Sequence, residues 1–236
     1  MVAAQAGFTS AGMWVDPLTS WQGDALEKTR QALSDTGIAL IDVEVVWLKG
    51  ASEPDDLQKQ IVDAGMALGA RNVLVVSRHD DFDASVRQFR GLCERVAGDM
   101  RVVLEFGEFT TIKTLAAAIE FIGVVDHPSA GILIDLMHLN RSGETLPELP
   151  SKLFPYIQAC DFHADSVTLT GHNYVIAAID GRAPLGEGDA SAEVLRAVCQ
   201  RPVDVSLEIR SKPLRDQYPD PVERARQIFA RCRRSG

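Results

Sequence analysis

The sequence predicts one α/β domain, a parallel barrel of (β/α)8 type (a TIM barrel) whose N-terminal strand is missing or atypical. Three observations predict it. Short runs rich in Val, Ile and Leu alternate with longer stretches of helical spacing along all 236 residues. Four of those runs are interrupted by a polar residue near their C-terminal ends: Glu105, Asp135, Gln158 and Glu208. A barrel gathers such ends into one ring, whereas an open sheet spreads them in a row. Finally, no GxGxxG or GxxxxGKS/T follows any run, which argues against a nucleotide-binding open sheet.

Strands are expected at residues 10–15, 39–48, 72–77, 101–107, 131–138, 156–162 and 204–210. Their apolar residues are mostly continuous rather than alternating, as in strands covered on both faces. Between them, Leu57, Ile61, Ala64 and Leu68 recur at helical spacing over 57–68. Val86, Phe89, Cys93 and Val96 do so over 86–97, and Ile112, Leu115, Ile119 and Ile122 over 111–122. Two further helices are expected at 191–198 and 221–231. Asp83 is placed to cap the second of these helices, and Thr110 or Thr111 the third. The strand count is seven, one short of a closed barrel, and the first strand begins almost at Met1. No Pro/Gly/Ser linker divides the chain, so residues 1–236 read as a single domain.

Composition narrows the function. Apolar residues make up 46% and charged residues 24%, and the mean hydropathy is −0.01, values of a globular chain. No apolar run approaches the roughly 20 residues that span a bilayer, so no membrane partner is expected. The net charge of −9 repels phosphate backbones. Arg231, Arg233 and Arg234 make a basic tail rather than a groove, and nucleic acid is not expected as a partner. Cys93, Cys160, Cys199 and Cys232 form no CxxC pair, which fits free thiols in a reducing compartment. The N-terminus does not read as a secretion signal, and a cytoplasmic location is expected.

The strand-end residues carry the chemistry. An ionised carboxylate in an apolar strand is costly unless paired or metal-bound. Glu105, Asp135 and Glu208 on three strands of one barrel would repel each other, and a divalent cation is the simplest way to hold them; separate pairing with Lys or Arg is the alternative. The side-chain oxygen of Gln158 could complete the set. Such oxygen-rich ligation favours Mn²⁺ or Mg²⁺, with Zn²⁺ or Co²⁺ as alternatives. His138, three residues after Asp135, can face the cavity and bond a substrate oxygen. Arg182 lies in a glycine-rich stretch, 181–189, and can clamp a carboxylate or phosphate. Trp47 can wall the cavity or pack between barrel and helices.

These stretches resemble the sugar phosphate isomerase/epimerase family, the xylose-isomerase-like TIM barrels. The matching elements are Leu-Glu105-Phe, Asp135-Leu-Met-His138, Tyr-Ile-Gln158-Ala-Cys-Asp161, Arg182-Ala-Pro-Leu-Gly-Glu-Gly and Val-Ser-Leu-Glu208. The resemblance implies a divalent metal on Glu105, Asp135, Gln158 and Glu208. It implies substrate contacts from His138 and Arg182, and the site is taken to include Trp47 and Asp161 as well. Many members have His where Gln158 stands, and members usually carry a strand before the segment matching 7–15. The expected activity is metal-dependent isomerisation or epimerisation of a sugar, keto acid or cyclitol. Glu105 or Glu208 would remove the proton α to a carbonyl. Dehydration of an inosose or of dehydroshikimate is the alternative reaction. A non-catalytic or partner-dependent barrel subunit and a metal phosphodiesterase are competing readings, and the expected partners are a small-molecule substrate and, as an option, further copies of the chain in a homo-oligomer.

Overall fold

A computed structural model describes residues 1–50, 53–96, 98–148, 152–163, 171–190, 192–200 and 203–233. The chain opens with α1 (Val2–Ala6), β1 (Ser10–Trp14), α2 (Ala25–Thr36), β2 (Ala39–Leu48), α3 (Asp56–Leu68) and β3 (Asn72–Ser77). It continues through α4 (Phe82–Val96), β4 (Arg101–Glu105), α5 (Leu115–Val125), β5 (Ala130–Asp135) and α6 (Leu136–Arg141). The last part holds β6 (Tyr156–Ala159), β7 (Asp161–Phe162), α7 (Gly171–Asp180), β8 (Arg182–Ala183), α8 (Ala192–Cys199), β9 (Asp204–Leu207), α9 (Lys212–Gln217) and α10 (Pro221–Cys232).

Seven strands form one sheet in the order β1-β2-β3-β4-β5-β6-β9, every neighbouring pair parallel. Parallel neighbours joined by helices are the (β/α) repeat, and the sheet curls into a nearly closed barrel. Among the described residues β1 and β9 share no hydrogen bonds, so one strand position is open. Arg71, just before β3, nevertheless forms an ion pair with Asp204 at the start of β9. That contact joins strands that are not neighbours in the sheet. The first residues form α1 rather than a strand. They pack on α10, with the Phe8 and Phe229 rings edge to face at 4.8 Å. Trp14, on the open edge, is 54% exposed.

Two apolar layers follow from the curl. The lumen holds Ile41, Val45, Leu74, Val76, Val103, Leu133 and Tyr156, contributed by successive strands as inward-pointing residues. The larger layer, between barrel and helices, includes Val43, Val73, Phe89, Leu104, Phe121 and Ile132. Among the described residues no helix is long and apolar enough to cross a membrane.

The expected strands and helices are present, with differences at their ends. The fifth strand stops at Asp135, because its Oδ1 accepts the His138 N–H at 2.9 Å and starts α6 there; His138 therefore lies on a helix. The expected strand at 156–162 breaks at Cys160 into β6 and β7. The cap of α4 is Asp81, whose Oδ1 accepts from Ala84 N at 2.9 Å, not Asp83. That of α5 is Thr114, accepting from Ala117 N at 3.1 Å, not Thr110 or Thr111. Helices α1, α2, α6, α7 and α9 are not among the expected ones. Helix α2 buries no residue fully and α9 only Leu214, so neither writes a strong apolar stripe. Ala97 and Ser191, ends of two expected helices, lie outside the described residues.

Candidate active site

The C-terminal ends of β2, β3, β4 and β9 open into a cavity of about 430 Å³. Glu44, Trp47, Glu105, His138, Arg182 and Glu208 line it, with Arg78, Phe109 and Arg210. Its floor is built from strand ends. Glu105 closes β4, in register with Val76 of β3 and Leu133 of β5. Asp135 closes β5 beside Gln158 of β6. Glu208 follows β9 and donates its N–H to Ala159 O at 3.1 Å.

Arg182 organises this floor. Only 3% exposed, its Nη1 meets Asp135 Oδ2 at 2.6 Å and its Nη2 meets Glu208 Oε2 at 3.0 Å. Nε donates to Ala178 O at 2.8 Å, and Nη1 also reaches Cys160 Sγ at 3.2 Å. Both Nη atoms are thus engaged by carboxylates of the site itself. His138 Nδ1 bonds Tyr174 Oη at 2.7 Å, and its Nε2 faces Glu105 Oε1 at 3.6 Å. Phe109 packs on the imidazole with centroids 5.1 Å apart.

Burial sets the protonation states. It pushes Glu105 well above the ordinary carboxylate range, and the nearby charges of Glu208 and Asp135 add to the shift. It pushes Glu208 up to about 8 against the pull of Arg182. Burial would also raise Asp135, but Arg182 and His138 hold it below its ordinary value. Burial lowers His138 to about 4, so its imidazole is neutral at neutral pH. Glu44 rises to about 7, through burial and then the charge of Asp42.

Donor atoms of Glu105, Asp135 and His138 all lie within 4.8 Å of one another. Gln158 Oε1 is buried with no hydrogen-bond partner, and its residue is the register neighbour of Asp135. Two carboxylates, an imidazole nitrogen and an unclaimed amide oxygen fit a divalent cation. His138, read from the sequence as a substrate contact, therefore also stands among the candidate ligands.

The structure brings together Glu105, Asp135, Gln158, His138, Arg182 and Glu208, with Trp47 on the cavity wall. It does not bring Asp161 to the cavity. Asp161 is fully buried and accepts from Phe162 N, Ala190 N and Gly186 N at 2.8, 2.9 and 3.0 Å. It pins the loop after β8. A Cβ on Gly188 would lie 2.4 Å from Asp161 Oδ1, which explains a glycine there. Tyr174, Arg78 and Phe109 escaped the sequence reading. The one available signal was the position of Arg78 directly after the third strand.

A family profile described as xylose isomerase-like TIM barrel matches residues 2–232. A 3-dehydroshikimate dehydratase of Bacillus anthracis is 35% identical over 111 residues, which span 44% of this chain and only 40% of that protein. The crystal structure of an IOLI protein with a bound zinc atom superposes with a TM-score of 0.75 at 17% identity, over 99% of this chain and 88% of that one. D-psicose 3-epimerase with D-tagatose from Clostridium cellulolyticum H10 gives a TM-score of 0.67 at 13% identity, over 99% and 91%. The two structural likenesses speak for the fold; with the match over nearly its whole length, this chain belongs to the xylose isomerase-like TIM barrel family.

Proposed function

We propose that the cavity isomerises or epimerises a polyhydroxylated carbonyl compound, with a divalent cation as cofactor. The observation that carries this reading is the convergence of Glu105, Asp135 and His138 on one point beside Glu208 in the same cavity. Glu105, Asp135 and the oxygen of Gln158 would hold the cation, with Glu208 or His138 as a further donor. When bound, it would polarise the substrate carbonyl and stabilise the charge that develops on its oxygen. Mn²⁺ or Mg²⁺ suits the oxygen donors, and the imidazole admits Zn²⁺ or Co²⁺.

Glu208 serves as the base that takes the proton from the carbon α to the carbonyl. Glu208 can return that proton, or Glu105, which faces the same space, can deliver one of its own while Glu208 keeps the first and solvent resets both carboxyls. Protonation on the opposite face of that carbon inverts it; protonation of the neighbouring carbon, with the hydroxyl proton passing to the former carbonyl oxygen, moves the carbonyl. Where Glu208 completes the cation's donors, neutral His138, oriented by Tyr174, is left to bond a substrate oxygen. Trp47 walls the cavity, Arg182 orients Glu208 and Asp135, and Asp161 acts indirectly by holding the loop that follows Arg182.

Glu208→Gln keeps the shape and removes the base. Solvent deuterium should stop entering a ketose or keto acid that the wild-type chain labels, with turnover down by on the order of 10²–10⁴-fold. Unchanged exchange removes Glu208 from the mechanism. A second reading is dehydration, favoured by the stretch shared with the 3-dehydroshikimate dehydratase. In it the same proton leaves and a β-hydroxyl departs with a proton from Glu105. Release of an aromatic dihydroxybenzoate from 3-dehydroshikimate distinguishes the two.

A further inference from the structure

The cavity is electrically two-ended. Its floor collects Glu44, Glu105, Asp135 and Glu208 around the buried guanidinium of Arg182. Its rim carries Arg78 and Arg210, both exposed and both lining the same cavity. Among the described residues no carboxylate lies within ion-pair distance of either rim guanidinium. Arg78 is held in place rather than waving in solvent. It follows β3 directly, and its guanidinium carbon stands 4.1 Å from the centre of the Trp47 ring, a cation–π arrangement that leaves its N–H edge open. Arg210 follows Glu208 by two residues, and its carbonyl accepts the Arg182 N–H at 3.1 Å, fixing its backbone to the floor.

We infer that the rim is an anion subsite: Arg78 and Arg210 receive a carboxylate or phosphate of the substrate, while its hydroxyl and carbonyl end faces the acidic floor. The inference rests on reading this cavity as the substrate site. The guanidinium that the sequence marked for such a clamp, Arg182, is already taken up by Asp135 and Glu208. At the floor the positive charge is already claimed: Arg182 is paired with Asp135 and Glu208, and the cation of the proposed reaction would be held by the carboxylates and meet the substrate's carbonyl and hydroxyl oxygens. Placed at the rim, it meets two cations with fork geometry suited to oxyanions. The same polarity fixes the orientation of the molecule, anion outward, and so decides which carbon lies beside Glu208. A neutral sugar makes no use of either arginine, so the subsite selects acidic cyclitols, keto acids and sugar phosphates over neutral ketoses.

Binding alone tests this, with no turnover read. Trp14 and Trp47 line the cavity, so tryptophan fluorescence can report occupancy. Three probes share one ring type: quinate, a cyclic polyol carboxylate; myo-inositol, its neutral counterpart; and the phosphate monoester of myo-inositol. The wild-type chain should bind one or both anions on the order of tenfold or more tighter than myo-inositol, given the strength of charge-assisted hydrogen bonds. Arg78→Ala and Arg210→Ala should each cost on the order of tenfold in anion binding, with myo-inositol affinity unchanged as the control for folding. Arg78→Lys should keep part of the preference. Tighter quinate binding assigns the subsite to carboxylate, and tighter phosphate binding to phosphate. Equal affinities for all three probes, no measurable anion binding, or an undiminished anion preference in the double alanine variant overturns the inference. A chain that prefers anions but exchanges no deuterium keeps this subsite and loses the proposed reaction; the reverse result does the opposite.

Discussion

Arg182 meets Asp135 at 2.6 Å and Glu208 at 3.0 Å, and the two carboxylates respond in opposite directions. Asp135, with no exposed surface, keeps its charge because Arg182 and the His138 backbone N–H outweigh its burial. Glu208 is pushed up to about 8, poised to gain or lose a proton near neutrality. Removing the guanidinium leaves both uncompensated. Arg182→Ala should cost on the order of 3–5 kcal/mol of stability, read by urea denaturation; a loss within a few tenths would show that the pair does not depend on it. Glu44 gives the pH signature. Its carboxyl rises from an ordinary 4.5 to about 7, so the folded chain binds that proton more tightly than the unfolded one. The resulting stabilisation is complete below pH 4.5 and is lost as pH rises through about 7. Glu44→Gln should reduce the slope of the melting-temperature profile over that window, to which Glu208, raised to about 8, also contributes, and an unchanged slope would remove Glu44 as a source. Site residues were legible where a lone polar group broke an apolar run, as at Glu105, Asp135, Gln158 and Glu208. Tyr174 was not, since it belongs to a helix with only Tyr174 and Ala177 buried and no marked stripe.

At the level of elements, side-chain amides tie the end of β2 to the helices around it. Gln58 Nε2 donates to Trp47 O at 2.6 Å, Gln88 Nε2 to Gln58 Oε1 at 3.0 Å, and Gln88 Oε1 accepts from Lys49 N at 2.9 Å. Both glutamines are buried, so β2, α3 and α4 share one satisfied polar cluster and Trp47 is fixed from behind. Gln88→Ala leaves Lys49 N without its acceptor and takes one donor from Gln58 Oε1, and should destabilise the chain by roughly 1–3 kcal/mol, with a shifted Trp47 emission as its second sign. A neutral outcome in both would show the cluster to be dispensable. The strand positions were readable because both-sided burial forces continuous Val, Ile and Leu runs. The caps were less so. The sequence around α5 offers three threonines, and which one caps depends on tertiary contacts: Glu144, remote in sequence, accepts from Leu115 N and Ala116 N at 2.6 and 2.8 Å.

For the whole molecule, the seven-strand count and the open position between the first and last strands were both visible in the sequence. What fills the start of the chain was not: a five-residue helix on α10 leaves too short a pattern to recognise. The curl of the sheet is what matters for function. It brings Glu105 of β4, Asp135 of β5, Gln158 of β6 and Glu208 after β9 to one end, although more than a hundred residues separate the first from the last. The central claim is that this end holds a divalent cation. Its most direct test is equilibrium titration of chelator-treated protein with Mn²⁺, repeated with Glu105→Gln and Asp135→Asn. The account predicts one saturable site per chain that either substitution abolishes while the fold persists. A wild-type chain that takes up neither Mn²⁺ nor Mg²⁺, or variants that bind them as well as the wild type, would contradict it.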